Sequence, residues 1–165
     1  MALSAISMKN DIINALKSGA DTAANANKKF GDAVLKNICD NMQITYQWKA
    51  ANSSGTTDPT GSFNATVSGN GTLTPDTFEL MLVKLATLIK GLTIQAATGF
   101  TVAPLTFNPA GVLDAVMAKE KDQDAAMTNL CAQIIASVKT SFVNPAPVSG
   151  GHAAFAGSTT AMVIS

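Results

Sequence analysis

The chain has 165 residues, of which 47% are hydrophobic and 13% are charged. Typical soluble domains carry roughly a quarter charged residues, so this charged fraction is about half the usual one. Eleven lysines balance eleven acidic residues, and arginine does not occur. The chain is too apolar to be intrinsically disordered. It also lacks the clustered cations through which proteins bind nucleic-acid phosphates, and it cannot supply an arginine clamp.

The length fits one domain with a core of ordinary size, so folding requires no disulfide or metal. The two cysteines, Cys39 and Cys131, are too few for a secreted disulfide scaffold, and we expect both to be buried free thiols. The first residues lack a charged segment followed by a long apolar run, so we expect synthesis in the cytoplasm without a signal peptide. The longest uncharged interior stretch, 91–113, contains two prolines and several polar residues, which makes it a poor membrane span.

Two amphipathic helices are predicted near the start of the chain, over roughly 4–18 and 22–42. In the second helix, apolar residues recur every four positions from Ala26 to Met42. Lysine and aspartate alternate along the opposite side, which predicts ion pairs between residues four apart. One side of this helix is therefore expected in the core and the other in solvent.

After the second helix the hydrophobic period changes from helical to alternating. The stretch 44–48 alternates apolar and polar residues, as a half-buried strand does. In the following polar segment, 52–72, serine, threonine, glycine and asparagine make up 16 of the 21 residues. Apolar residues alternate inside it over 63–67, which indicates a second strand. We expect the two strands to pair antiparallel, joined by a long loop around Asp58 and Pro59.

A third helix is predicted to begin at Thr74, with Thr74 as its cap and Pro75 at the first helical position. Its apolar stripe is broad, so we expect a central and largely buried helix that ends at Gly91. The uncharged stretch 92–107 is expected to be extended. A short fourth helix over 108–118 and a long fifth helix, capped by Asp122 and running to about Phe142, complete the predicted elements.

These elements predict a mainly α fold, in which a bundle of about five helices carries a small antiparallel β element and an extended C-terminal arm. An α+β fold is the alternative. We expect residues 1–143 to form a single helical domain from which the polar loop 50–73 protrudes. Residues 144–165 are rich in proline, glycine, alanine and serine and contain no aspartate, glutamate or lysine, so we expect them to form the extended arm.

Two segments of the chain resemble each other. The stretches 32–39 and 124–131 carry Asp, Ala, Asn and Cys at matching positions, each within a predicted long helix. A duplicated helical hairpin would place Cys39 and Cys131 at equivalent core positions. The alternative is a chance likeness between two alanine-rich amphipathic helices.

Residues that carry chemistry are sparse. The single histidine, His152, lies in the predicted arm, and we expect it to be a surface residue rather than a catalytic base. No close pair of histidine or cysteine ligands exists, so no metal site is predicted. Glu120, Asp122 and Asp124 cluster at a helix junction among lysines, which favours a solvated helix cap over a cation site. We therefore predict no catalytic residue, no cofactor and no enzyme.

The low charge instead favours contacts with other protein subunits, because the centres of interfaces are depleted in charged residues. The apolar and aromatic residues of the predicted strands and arm are the candidate contact residues: Tyr46, Trp48, Phe63, Phe155, Met162, Val163 and Ile164. Only one lysine, Lys49, lies near the two aromatic residues of 44–48, so a protein contact or a core position is preferred there to a nucleic-acid platform.

The composition of the chain, mainly over 50–73 and 144–165, resembles that of small accessory proteins of tailed-bacteriophage particles. The resemblance implies a capsid, neck or tail component with a structural role and no catalysis. From the charge and composition we expect a homo-oligomer or contacts with other structural subunits, and no nucleic-acid or membrane partner. Two alternatives remain open. One is a binding module with an apolar cleft between the third and fifth predicted helices, and the other is an enzyme of unrecognised type.

Overall fold

The structure is a computed structural model of the chain, and it describes residues 2–50, 60–69, 71–96, 123–141 and 157–165. The elements, in chain order, are α1 (Ala5–Lys17), α2 (Ala23–Asn41), β1 (Gln43–Ala50), β2 (Thr60–Ser68), α3 (Phe78–Lys90), β3 (Thr93–Ala96), α4 (Gln123–Ser141) and β4 (Gly157–Ile164). The fold is mainly helical with a small antiparallel sheet, as the sequence predicts.

The helix count differs from the predicted five. The described residues contain four helices, and α1, α2 and α4 lie within two residues of their predicted positions. The predicted short helix over 108–118 lies outside the described residues, as does Asp122, the predicted cap of the last helix. The prediction of helices over 4–18 and 22–42 is confirmed. Both helices begin at a hydroxyl cap. The Ser4 and Thr22 side chains accept hydrogen bonds from backbone N–H groups three residues further on.

The predicted start of the third helix is wrong. Helix α3 is capped by Thr77 and not by Thr74. The physical reason lies in the preceding residues, which are used for tertiary contacts. Thr74 Oγ1 and Asp76 Oδ2 both accept hydrogen bonds from Lys84 Nζ at 2.7 Å, and the Asp76 backbone carbonyl accepts one from Asn27 Nδ2 at 2.9 Å. The chain therefore turns into the helix three residues later than the local signal indicates.

The sheet has four strands in the order β3–β2–β1–β4, and every neighbouring pair is antiparallel. The predicted pairing of the strands around 44–48 and 63–67 is confirmed, with Tyr46 opposite Phe63. Strand β2 occupies part of the predicted protruding loop, while residues 51–59 of that loop lie outside the described residues. Strand β3 falls in the predicted extended stretch, and β4 falls in the predicted arm.

One hydrophobic core joins the helices to one face of the sheet. Helix α2 packs against α1 and α3, and α4 packs against α1. The fully buried side chains include Met8, Ile38, Ile44, Met81 and Ile134, so every described helix contributes to the cluster. The expectation that α3 is largely buried is wrong for one side of it, because Leu80 and Val83 are 51% and 50% exposed.

The charged side of α2 is built as the sequence predicts. Lys28 pairs with Asp32 at 2.5 Å, and Lys36 pairs with Asp40, each four residues apart. Exposed pairs of this kind contribute about 0.2–0.5 kcal/mol each to a helix. Asp32 also has a tertiary role, since its Oδ1 accepts a hydrogen bond of 3.1 Å from the backbone N–H of Leu73.

The closest approach between α2 and the chain that leads into α3 occurs at Gly31. A Cβ atom at this position would overlap Leu73 Cδ1 and lie 2.8 Å from Met81 Sδ. Leu73 is 2% exposed, and Met81 is fully buried. Because Gly31 has no side chain, Leu73 packs into the space that a Cβ atom would fill.

We predict that Gly31→Ala destabilises the fold by about 1–3 kcal/mol, because the methyl group overpacks this contact. In an exposed helix the same substitution stabilises by about 1 kcal/mol, so the sign of the effect is diagnostic. Chemical denaturation measures the free energy of unfolding. The matched double variant Gly31→Ala with Leu73→Val should lose less stability than the two single losses added together. A stabilised Gly31→Ala variant would contradict the packing.

A second prediction concerns Asp76. Two hydrogen bonds hold the pKa of this carboxyl below its ordinary value. The larger effect comes from Lys84, and the smaller one comes from the Thr77 backbone N–H. Such a carboxylate stabilises the fold above its unfolded pKa of about 4, and this contribution is lost as the pH falls through the lower folded pKa. We expect Asp76→Asn to flatten the decline of unfolding free energy below about pH 5, measured by denaturation at several pH values. Glu79→Gln removes a carboxylate from the same helical region and serves as control. Equal acid dependence in wild type and Asp76→Asn would refute the assignment.

Candidate interaction surface

The strand register aligns several predicted contact residues in one row. Tyr46 lies opposite Phe63 on β2 and opposite Met162 on β4. Trp48 lies two positions further along β1, opposite Gly61 on β2 and Thr159 on β4. The register therefore brings the backbones of Tyr46, Phe63 and Met162 to neighbouring positions of the sheet.

The remaining candidates divide between core, surface and undescribed chain. Ile164 lies opposite Ile44, is partly buried and packs against the core. Val163, its neighbour, lies opposite Thr45 on the other face and is 58% exposed. Phe155 lies outside the described residues.

The sheet face that turns away from the helices is lined by uncharged polar residues, and we call it the open face. It comprises positions 43, 45, 47 and 49 of β1 together with their register partners on β2, β3 and β4. Thr45 Oγ1 and Asn64 Oδ1 are 3.0 Å apart across β1 and β2. The exposed residues on it whose side chains are described are Gln43, Gln47, Ser62, Asn64, Thr66, Thr93 and Val163. By register, Lys49 at one end is its only charged position among the described residues.

The sequence alone did not predict that these residues form one surface. The alternation of apolar and polar residues along each strand was visible, and it indicated two faces. Which residues join across strands depends on register, and β3 and β4 are distant from β1 in the chain. Further exposed apolar side chains are Ile6, at 62% exposure, and the pair Leu80 and Val83 on α3.

A groove of about 400 Å³ lies between α1 and α2, which is not the place where the binding-module alternative expects a cleft. Its three aspartates have partners within the chain. Asp11 accepts a hydrogen bond of 2.6 Å from Asn37 Nδ2, Asp32 pairs with Lys28, and Asp40 pairs with Lys36. Two of the three aspartates are thus paired with lysines, while Asp11 is held by a neutral amide.

Candidate catalytic and metal-binding groups are not brought together in the described chain. No group of three histidine, cysteine, aspartate or glutamate side chains in these residues could hold a metal ion. Asp124 forms a salt bridge with Lys9 at 3.0 Å, while Glu120, Asp122 and His152 lie outside the described residues.

The two cysteines are both free, but they occupy different environments. Cys131 is fully buried, and burial raises the pKa of its thiol to about 11. Cys39 is half-buried, and its thiol pKa is raised by burial and by the nearby charge of Asp40. The two matching segments also differ in their ion pairs, since Asp32 pairs within α2 and Asp124 pairs with α1. These differences favour a chance likeness over a duplicated hairpin.

We predict that a thiol reagent at pH 8 labels Cys39 before Cys131, because Cys131 is fully buried whereas Cys39 is half-buried. Mass spectrometry of the labelled peptides measures the order. Labelling in denaturant is the control, and there the two rates should become similar. Equal rates in the folded protein would contradict the burial of Cys131.

No described helix combines the length and apolar character that crossing a membrane requires. Comparison with known proteins gives no family model that matches the chain. No curated protein and no solved structure matches it either.

Proposed function

We propose that this chain is a non-enzymatic assembly protein that works through contacts with other protein subunits. The observation that carries the proposal is the open face, in which uncharged polar residues cover one side of a four-stranded sheet and Lys49 at one end is the one charged position among the described residues. Charged groups are costly to bury at an interface, and interface centres are depleted in them. An exposed surface with so few of them is suited to association.

The exposed apolar side chains support the same function. Val163 adds an apolar group to the open face, and Leu80 and Val83 form a second apolar spot on α3. Singly exposed apolar residues are ordinary on soluble proteins, so these side chains add to the argument without carrying it. The partners we propose are further copies of the chain or other structural subunits.

The compositional resemblance to accessory proteins of tailed-bacteriophage particles supports a more specific setting for this assembly. We propose that the chain becomes part of a virion, as a capsid, neck or tail component. The segments that carry the resemblance contribute β2 and β4, both of which reach the open face. A catalytic role has no comparable support among the described residues.

Light scattering over a range of concentrations tests the proposal, because association raises the average mass. We predict that Gln47→Lys, which adds a charge to the middle of the open face, weakens self-association at least tenfold, since like charges from two copies meet there. Gln133→Lys makes the same substitution on the exposed side of α4 and serves as matched control. Both variants should keep the wild-type unfolding free energy.

Two results would overturn the proposal. One is a wild-type protein that stays monomeric at every concentration and in the presence of its cell lysate. The other is an equal loss of association in Gln47→Lys and Gln133→Lys, because the open face would then contribute nothing particular.

A further inference from the structure

The groove between α1 and α2 has the size of a small-molecule site. Its volume of about 400 Å³ falls within the range of ligand pockets, and each of the two helices contributes polar and charged residues to its lining. Ala15 and Ala33, one from each helix, also line it, and their short side chains leave room between the helices. The charges around this space decide what kind of ligand it fits.

Asp11 is the carboxylate of the groove that no described lysine pairs with. Its Oδ2 accepts a hydrogen bond of 2.6 Å from Nδ2 of Asn37, which is 1% exposed. Lys36 lies near enough for its charge to interact with that of Asp11, but its ion pair is with Asp40. A carboxylate has about four acceptor positions, and hydrogen bonds within the described residues use one of them. Asp11 is thus oriented from within the core and keeps acceptor positions for a cation from outside.

The buried amide behind Asp11 also favours a positive charge at this end of the groove. Asn37 Oδ1 is buried and has no hydrogen-bond donor among the described residues. It lies within about 5 Å of the Asp11 carboxylate, since the amide oxygen and nitrogen share one carbon atom. A cation bound at Asp11 would therefore interact favourably with both oxygens.

Lys29 is a cation at the other end of the groove whose hydrogen-bond partners are uncharged. Its Nζ donates to Ser18 Oγ at 2.7 Å and to the backbone carbonyl of Gly19. The charge of Lys29 acts on Asp21, but the two form no ion pair among the described residues. An ammonium group has three N–H donors, so one donor of Lys29 remains for a ligand.

The two ends of the groove are a fixed distance apart. Asp11 and Ser18, the residue that caps α1, are separated by two helical turns, or about 10 Å. Because Lys29 is bonded to Ser18, the groove presents a carboxylate and an ammonium group about this far apart. The remaining carboxylates of the lining, Asp32 and Asp40, each pair with a lysine. Charge complementarity therefore selects a ligand with opposite charges at its two ends.

We propose that the groove between α1 and α2 binds short zwitterionic peptides, with the peptide ammonium at Asp11 and the peptide carboxylate at Lys29. An extended tripeptide spans about 10 Å, which matches the separation of the two groups. A dipeptide is too short to reach both. The site lies on the helical layer and not on the open face, so it goes beyond the proposed assembly function and does not depend on it.

Titration of the full-length chain with triglycine, followed by NMR of the backbone amides, tests the site. At about pH 6.5 both termini of triglycine are charged. About a dozen non-hydrogen atoms at ordinary ligand efficiency give a dissociation constant of about 1 mM. We expect saturable shifts at Asp11, Asn14, Ser18 and Lys29. N-acetyl-triglycine lacks the ammonium and triglycinamide lacks the carboxylate, so each should bind about tenfold more weakly, as should diglycine.

Variants that remove one charge assign the two ends. Asp11→Asn keeps an oxygen for Asn37 Nδ2, and it should weaken triglycine binding about tenfold while leaving N-acetyl-triglycine binding unchanged. Lys29→Gln should weaken triglycine binding similarly and leave triglycinamide binding unchanged. Glu79→Gln and Lys90→Gln remove the same charges from exposed positions on α3 and are the matched controls. Chemical denaturation verifies that each variant is folded.

Three outcomes would overturn the proposal. The first is the lack of a saturable shift at concentrations about twentyfold above the expected dissociation constant. The second is equal binding of triglycine and its two blocked forms, a comparison that needs the wild type alone and so holds even where a variant does not fold. The third is a loss in Glu79→Gln as large as that in Asp11→Asn, since overall charge would then explain the binding. None of these outcomes changes the light-scattering result, so the proposed assembly function is tested separately.

Discussion

The contact between Leu73 and α2 is the constraint on which the rest of the fold depends. Gly31 leaves the space for the Leu73 side chain, and Asp32 accepts a hydrogen bond from the Leu73 backbone N–H. This anchor lies between β2 and α3, so it ties the sheet to the helical layer at the point where the chain passes from one to the other. After this anchor, Thr74 and Asp76 accept hydrogen bonds from Lys84 of α3, and the helix itself begins at Phe78.

Once the two layers are joined, the alternation of the strands divides the sheet into two chemically different faces. Ile44, Ala65 and Val67 are buried against the helices. Their neighbours in the chain turn outward and are glutamine, asparagine, serine or threonine. Among the described residues, part of the uncharged sequence thus forms an exposed face. This face carries few charged groups, which are the costliest groups to bury, and that property connects the fold to the proposed assembly function.

The fold class and the positions of most helices could be predicted because they depend on local signals. Hydrophobic spacing, hydroxyl caps and alternating charges are read within a few residues, and they located α1, α2 and α4 and the pairing of β1 with β2. The start of α3 could not be located in this way, because a tertiary contact competes with the cap at Thr74. The candidate contact residues were chosen by side-chain type, and register divides them, with Val163 on the open face and Ile164 partly buried against the core.

By itself the sequence determined the mainly helical class, the amphipathic character of each helix and the low charge of 50–73, 91–113 and 144–165. Only the tertiary structure decided the four-strand order, the membership of the open face and the docking of β4 on β1. The physical reason is that strand partners are joined by backbone hydrogen bonds, which carry no side-chain signature. Strands more than a hundred residues apart therefore come together through geometry that no local pattern of residues encodes.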